Sequence, residues 1–178
     1  MRITSGKYRG LLLKVPKSLE IRPMTDKVRK ALFDSLGPAV SECRVLDLFC
    51  GTGALGLEAL SRGAKEVVFV DCAREAVSLV QKNLELTGEK RGKIFKLELP
   101  RGLSRLKGPF DLVFVTPPYG KGLAKRTVLS FPVDLLSAEA LVIVEERAGE
   151  ELPLETPLLT KFKQKRYGQT ELHFYRRK

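Results

Sequence analysis

The sequence predicts an α/β fold: a mostly parallel, doubly wound sheet, with a C-terminal antiparallel hairpin and an N-terminal β-hairpin extension. Three observations carry this reading. From residue 43 onward, short and nearly continuous apolar runs alternate with amphipathic helical segments, the pattern of parallel strands covered on both faces. A glycine loop, Gly51-x-Gly53-x-x-Gly56, stands between the first of those strands and the first of those helices. A chain of 178 residues can bury about 70% of its unfolded surface in one domain, so no disulfide staple is needed. One domain over 1–178 is expected, with 1–20 as the hairpin extension and 21–178 as the core.

Taken in order, residues 2–15 hold two short strand-like runs around Gly6 and Lys7, which reads as a hairpin. Thr25 is a helix N-cap, with Asp26 in the first turn, apolar Val28, Ala31, Leu32 and Leu36, and Gly37 as the stop. Strand 43–49 leads to helix 53–63, and strand 66–71 leads to helix 74–88. A weaker strand lies over "KIFKLEL". Strand 110–115, a helix near 122–136 and strand 140–146 follow, and the end of the chain reads as two strands turning near Gly168. No repeat, low-complexity segment or interdomain linker interrupts the series.

Charge is distributed unevenly. The formal net charge is +11; residues 1–30 contribute +7, residues 161–178 contribute +6 and the centre contributes −2. A neutral core with basic ends suits a polyanion-binding rim, though a basic surface serving solubility gives the same count. Cys43, Cys50 and Cys72 have no Cys-x-x-Cys spacing and only His173 to assist them, so a metal or redox site is not expected. Buried or half-buried thiols in a reducing compartment are. No apolar run is long enough to span a membrane, and a soluble, cytoplasmic protein follows.

With Asp71 ending the second strand, the glycine loop meets the dinucleotide fingerprint. Asp47, at the strand end before the loop, argues otherwise. A carboxylate about 5 Å from a phosphate charge costs on the order of 3 kcal/mol at an effective dielectric near 20. S-adenosylmethionine carries no phosphate; its ammonium and sulfonium are favoured by an acid there. Gly51 and Gly53 would let the backbone approach it, and Asp71 would receive the ribose diol. The alternative is that Asp47 caps a neighbouring helix and the glycines only make a tight turn. Cys50 has no paired base and reads as an apolar filler.

The run "FDLVFVTPPYG" ends a core strand in Thr116-Pro117-Pro118-Tyr119. Ligands in open α/β sheets collect at the strands' carboxyl ends, where the order of strands reverses. Prolines fix φ and lack N–H groups, leaving local carbonyls as free acceptors. Tyr119 can stack on a base, worth roughly 1–3 kcal/mol. Such a corner suits an exocyclic amine whose lone pair faces a methyl donor, with positioning as the main contribution to rate.

These segments, "RITSGKYRG", "RPMTDKVRKALFDSL", "LDLFCGTGALGLEALSRGA", "VFVTPPYGKGL" and "YGQTELHFYRR", give the chain a resemblance along nearly all its length. It resembles the RsmD-type family of 16S ribosomal RNA guanine-N2 methyltransferases, which have a Rossmann-like class I methyltransferase fold. The resemblance implies S-adenosyl-L-methionine as cofactor, held by Asp47, Phe49, Gly51, Thr52, Gly53, Asp71, Cys72 and Glu98. It implies methyl transfer at Thr116, Pro117, Pro118 and Tyr119. It also implies ribosomal RNA, in a small-subunit particle, gripped by Arg2, Lys7, Arg9, Arg22, Thr25 and Arg29, with the protein a monomer and no metal or membrane involved. For Arg22 and Arg29, helix-end surface charge is the plainer alternative.

Two positions depart from the family. Its pattern is Asp/Asn-Pro-Pro-Phe/Tyr, and here Thr116 stands first. After the third strand it places an acidic or polar residue near the adenine, whereas here Glu98 is the nearest acid and Arg101 occupies the expected position. A ribosome-assembly RNA-binding homologue with weakened catalysis is therefore the second reading.

Overall fold

The computed structural model describes residues 1–17 and 24–178. Its first helix, α1, covers Asp26–Leu36; the Thr25 side chain accepts the Val28 N–H, and Gly37 ends the helix at φ 56°. The strands and helices that follow are β1 Arg44–Leu48, α2 Ala54–Ser61, β2 Glu66–Asp71, α3 Arg74–Thr87 and β3 Gly92–Lys96. Then come β4 Phe110–Val115, α4 Leu123–Val128, β5 Leu136–Arg147, β6 Leu159–Tyr167 and β7 Thr170–Arg177.

The strands form one sheet in the order β3-β2-β1-β4-β5-β7-β6. The first five are parallel, while β7 runs antiparallel between β5 and β6. The order reverses between β1 and β4, which pair with Leu48 opposite Val115. The glycine loop and the proline corner therefore lie side by side. Every residue of β1 and β2 beyond the ends is buried, and apolar clusters fill both faces of the sheet.

Four expectations change. The helix near 122–136 is only the six residues of α4, followed by a single short turn at Val133–Leu135, because Pro132 cannot continue a helix. The N-terminal hairpin is a narrow ribbon: Arg2 bridges Leu12, and Ile3 N–H and Leu13 N–H donate to the carbonyls of Leu11 and Met1. The strand over "KIFKLEL" stops at Lys96. Cys72 is exposed rather than buried, while Cys50 is buried and its thiol is pushed well up by that burial. Among the described residues no helix is long and apolar enough to cross a membrane.

Candidate active site

Asp47 lies beneath the glycine loop, only 1% exposed. Its Oδ2 accepts the Gly56 N–H at 3.0 Å, in the first turn of α2. Capping, the alternative reading, is thus part of its role. Its Oδ1 is buried without a partner among the described residues. Burial first, and the nearby Asp71 after it, raise the Asp47 carboxyl to about 8 against the pull of the Gly56 hydrogen bond. An orphaned acidic oxygen under the loop fits a cationic ligand, which would lower its desolvation penalty.

The loop above it is tightly held. Cys50 N–H donates to the Val70 carbonyl at 3.0 Å, and Gly51 N–H donates to Asp71 Oδ2 at 3.1 Å. Asp71 Oδ1 accepts the Ala73 N–H, so each oxygen of this half-exposed carboxylate keeps further acceptor capacity. Gly53 starts α2 at φ 81°. At Gly56 a Cβ would come within 2.3 Å of the Phe69 ring, so glycine there lets helix and sheet close together.

Thr52 is 3% exposed, its hydroxyl accepting the Ala54 N–H at the start of α2 and lying 3.5 Å from the Met1 sulfur. Cys72 and Glu98 are both exposed, at the ends of β2 and past β3. Beside Glu98 opens a cleft of about 390 Å³, lined also by Arg101, Ser104, Arg126 and Ser130.

Phe49 occupies the left-handed region at φ 58°, a conformation that costs a non-glycine residue roughly 1–3 kcal/mol. Its carbonyl accepts a hydrogen bond from Thr116 Oγ1 at 3.3 Å. The Leu48 carbonyl lies 3.5 Å from the same hydroxyl, so the threonine proton has acceptors on β1 and the loop, and the oxygen's lone pairs remain for an incoming donor. Pro117 is buried, Pro118 exposed, and no described donor reaches the Pro117 carbonyl.

Tyr119 is more constrained than a free stacking platform. Its hydroxyl donates to Glu145 Oε1 at 2.8 Å and lies 3.0 Å from Thr170 Oγ1. The Arg147 guanidinium sits 5.7 Å from its ring centroid. Burial raises both the Tyr119 hydroxyl and the Glu145 carboxyl above their ordinary values. Stacking is left to the opposite face of the ring. Glu145, Arg147 and Thr170 were missed because nothing local marks them; only the register of β5 and β7 brings them here.

The expected RNA-contacting residues separate. Arg2, Lys7 and Arg9 are exposed on the ribbon, and Thr25 is spent on capping α1. Arg29 is neither surface charge nor an open grip. Its side chain is 0% exposed, donates to the Arg2 carbonyl and to Asp26, and lies 3.6 Å from Glu58. Burial of a cation between two acids makes it a staple joining ribbon, α1 and α2. Arg22 lies outside the described residues.

The ribbon's other contacts come from residues that the sequence reading passed over. Glu58, 0% exposed, accepts the Thr4 N–H and hydroxyl. Ser61 accepts the Tyr8 N–H and donates to the Ser5 carbonyl. Asn83, also fully buried, accepts the Lys14 N–H at 2.8 Å and donates to the carbonyls of Lys14 and Thr52. One side chain thus ties the ribbon to the glycine loop.

Sheet order, glycine loop and acid-ended second strand together define the class I S-adenosylmethionine-dependent methyltransferases, and this chain is one. It belongs to the family described as "Conserved hypothetical protein 95", whose model matches residues 1–176. It is 35% identical over 178 residues to the ribosomal RNA small subunit methyltransferase D of Escherichia coli strain K12, covering 99% of this chain and 90% of that one. The protein of the same name from Haemophilus influenzae is 36% identical over 163 residues, covering 88% and 83%. Among solved structures, the Escherichia coli protein yhhF superimposes with a TM-score of 0.88 at 34% identity, over 100% of this chain and 98% of that one.

Proposed function

We propose that this protein methylates the exocyclic N2 of a guanine in small-subunit ribosomal RNA, as a cytoplasmic, single-domain monomer. The observation that carries the reading is the acceptor pair at the end of β4. The Thr116 oxygen, its proton turned toward the Leu48 and Phe49 carbonyls, and the free Pro117 carbonyl can each take one N–H of an amine. Held this way, the amine directs its lone pair out of the corner.

S-adenosylmethionine supplies an electrophilic methyl group on a sulfonium when bound. Gly51 and Gly53 give the backbone room to approach it. Asp71 offers acceptors to the ribose, and Asp47 offers an unpartnered carboxyl oxygen below the loop. The exposed Glu98 and its cleft receive the purine end. No general base is invoked; orientation of amine against methyl is what these residues contribute. Guanine N2 takes part in base pairing, so the base must be unpaired or extruded to reach Thr116.

The test is incubation with tritiated methyl donor and small ribosomal subunits from cells lacking the protein, followed by nucleoside analysis. Label in N2-methylguanosine is expected. Label in another nucleoside, or only in DNA offered as competitor, overturns the assignment.

A further inference from the structure

We infer that the exposed strip formed by β6 and Arg176 on one face of the β6–β7 hairpin is a second RNA-backbone track, running away from the methyl-transfer corner. This deepens the proposed function and rests on it. On that face three cations lie over three aromatic rings. The Arg176 guanidinium is 4.0 Å from the Phe162 centroid, Lys163 Nζ is 5.1 Å from Phe174, and Lys165 Nζ is 5.2 Å from Tyr167.

The strand register explains the grouping. Lys163 pairs with Phe174, Lys165 with Leu172 and Tyr167 with Thr170, and an irregularity between Lys161 and Lys163 interrupts the alternation. A bulge of this kind turns two neighbouring side chains toward one face, here Phe162 and Lys163, which both contact Phe174. Lys161 and Arg166 point elsewhere and are engaged locally, donating to the carbonyls of Leu152 and Gly168. Lys163, Lys165 and Arg176 form no ion pair among the described residues.

A cation over a ring is held in place without using its N–H donors. These three are therefore oriented, exposed and unneutralised, which is what a row of phosphates needs. Phe162, 44% exposed, adds a face on which an unpaired base can stack. The row also begins at the active site. Tyr167 pairs with Thr170, whose hydroxyl is 3.0 Å from that of Tyr119. From Tyr167 to Lys163 is roughly 13 Å of strand. Lysines on an exposed edge strand also guard against pairing with another sheet, so the two roles must be separated.

The test compares K163Q/K165Q/R176Q with wild type and with the charge-keeping K163R/K165R. Three readouts are taken: methyl transfer to small subunits, filter binding of protein-free 16S RNA across a salt series, and calorimetric binding of adenosylmethionine. The glutamine variant should raise KM for RNA at least tenfold and flatten the log–log salt slope by about 2. Cofactor binding and kcat at saturation should stay as in wild type, and the arginine variant should behave normally. Unchanged RNA binding, with or without self-association of the variant, overturns the track. So does a loss seen only with intact particles, which would assign the face to a protein partner. If wild type transfers no methyl group at all, the proposed function fails, while the RNA-binding comparison still decides the track.

Discussion

Thr116 brings one hydroxyl to a position where a carboxylate or amide oxygen would reach further. Its proton is directed to the Leu48 and Phe49 carbonyls, so the oxygen acts as an acceptor despite being a threonine's. Replacing it with valine keeps the shape and removes the acceptor; T116V should lower kcat about 10²–10³-fold with little change in cofactor affinity. T116N should stay within about tenfold of wild type, and a much larger gain would mean that catalysis here has decayed. Steady-state methyl transfer measures both. Asp47 makes a different prediction. The folded chain holds its proton to about pH 8, whereas an unfolded aspartate loses it near 3.8. Folding therefore favours the protonated form, and this contribution is complete below the unfolded value and lost as pH rises through the folded one. Between about pH 5.5 and about pH 8.5, urea denaturation should show wild type losing stability relative to D47N, by on the order of a few kcal/mol. The amide keeps an acceptor for the Gly56 N–H and cannot ionise.

Among the elements, α2 is the least typical. All eight of its residues are buried, because the sheet covers one side and the N-terminal ribbon the other. Sequence patterning found the helix but assigned no role to Glu58 or Ser61. Their burial depends on a segment more than fifty residues away, and no local periodicity reports that. The same holds for Asn83 on α3, which fastens the ribbon to the loop through three hydrogen bonds. N83L should leave two backbone groups of Lys14 without partners and destabilise the fold by about 2–3 kcal/mol. It should also raise KM for RNA and for adenosylmethionine together, since ribbon and loop share that side chain. Loss of only one of the two would show that they are independent. By contrast, Pro132 was a visible stop signal for α4 that the longer helix over 122–136 disregarded.

For the molecule as a whole, the reversal between β1 and β4 was readable because strand composition, glycine spacing and the proline corner all act locally and agree. The placement of the glycine loop beside the proline corner was accordingly clear in outline. The surroundings of Tyr119 were less so: Glu145 and Arg147 reach it from the end of β5, and Thr170 only through β7, which returns antiparallel from the far end of the chain. That insertion of β7 between β5 and β6 has a temporal consequence. During synthesis the chain emerges in order, and β6, apart from the Glu155 bridge at Thr160, has no strand of the sheet to pair with until residues 170–177 follow it. A nascent chain halted at Tyr167 would already hold the glycine loop, yet Tyr119 would lack Thr170. The contacts of the proline corner are therefore completed late in translation, after the glycine loop has had its whole sequence in place.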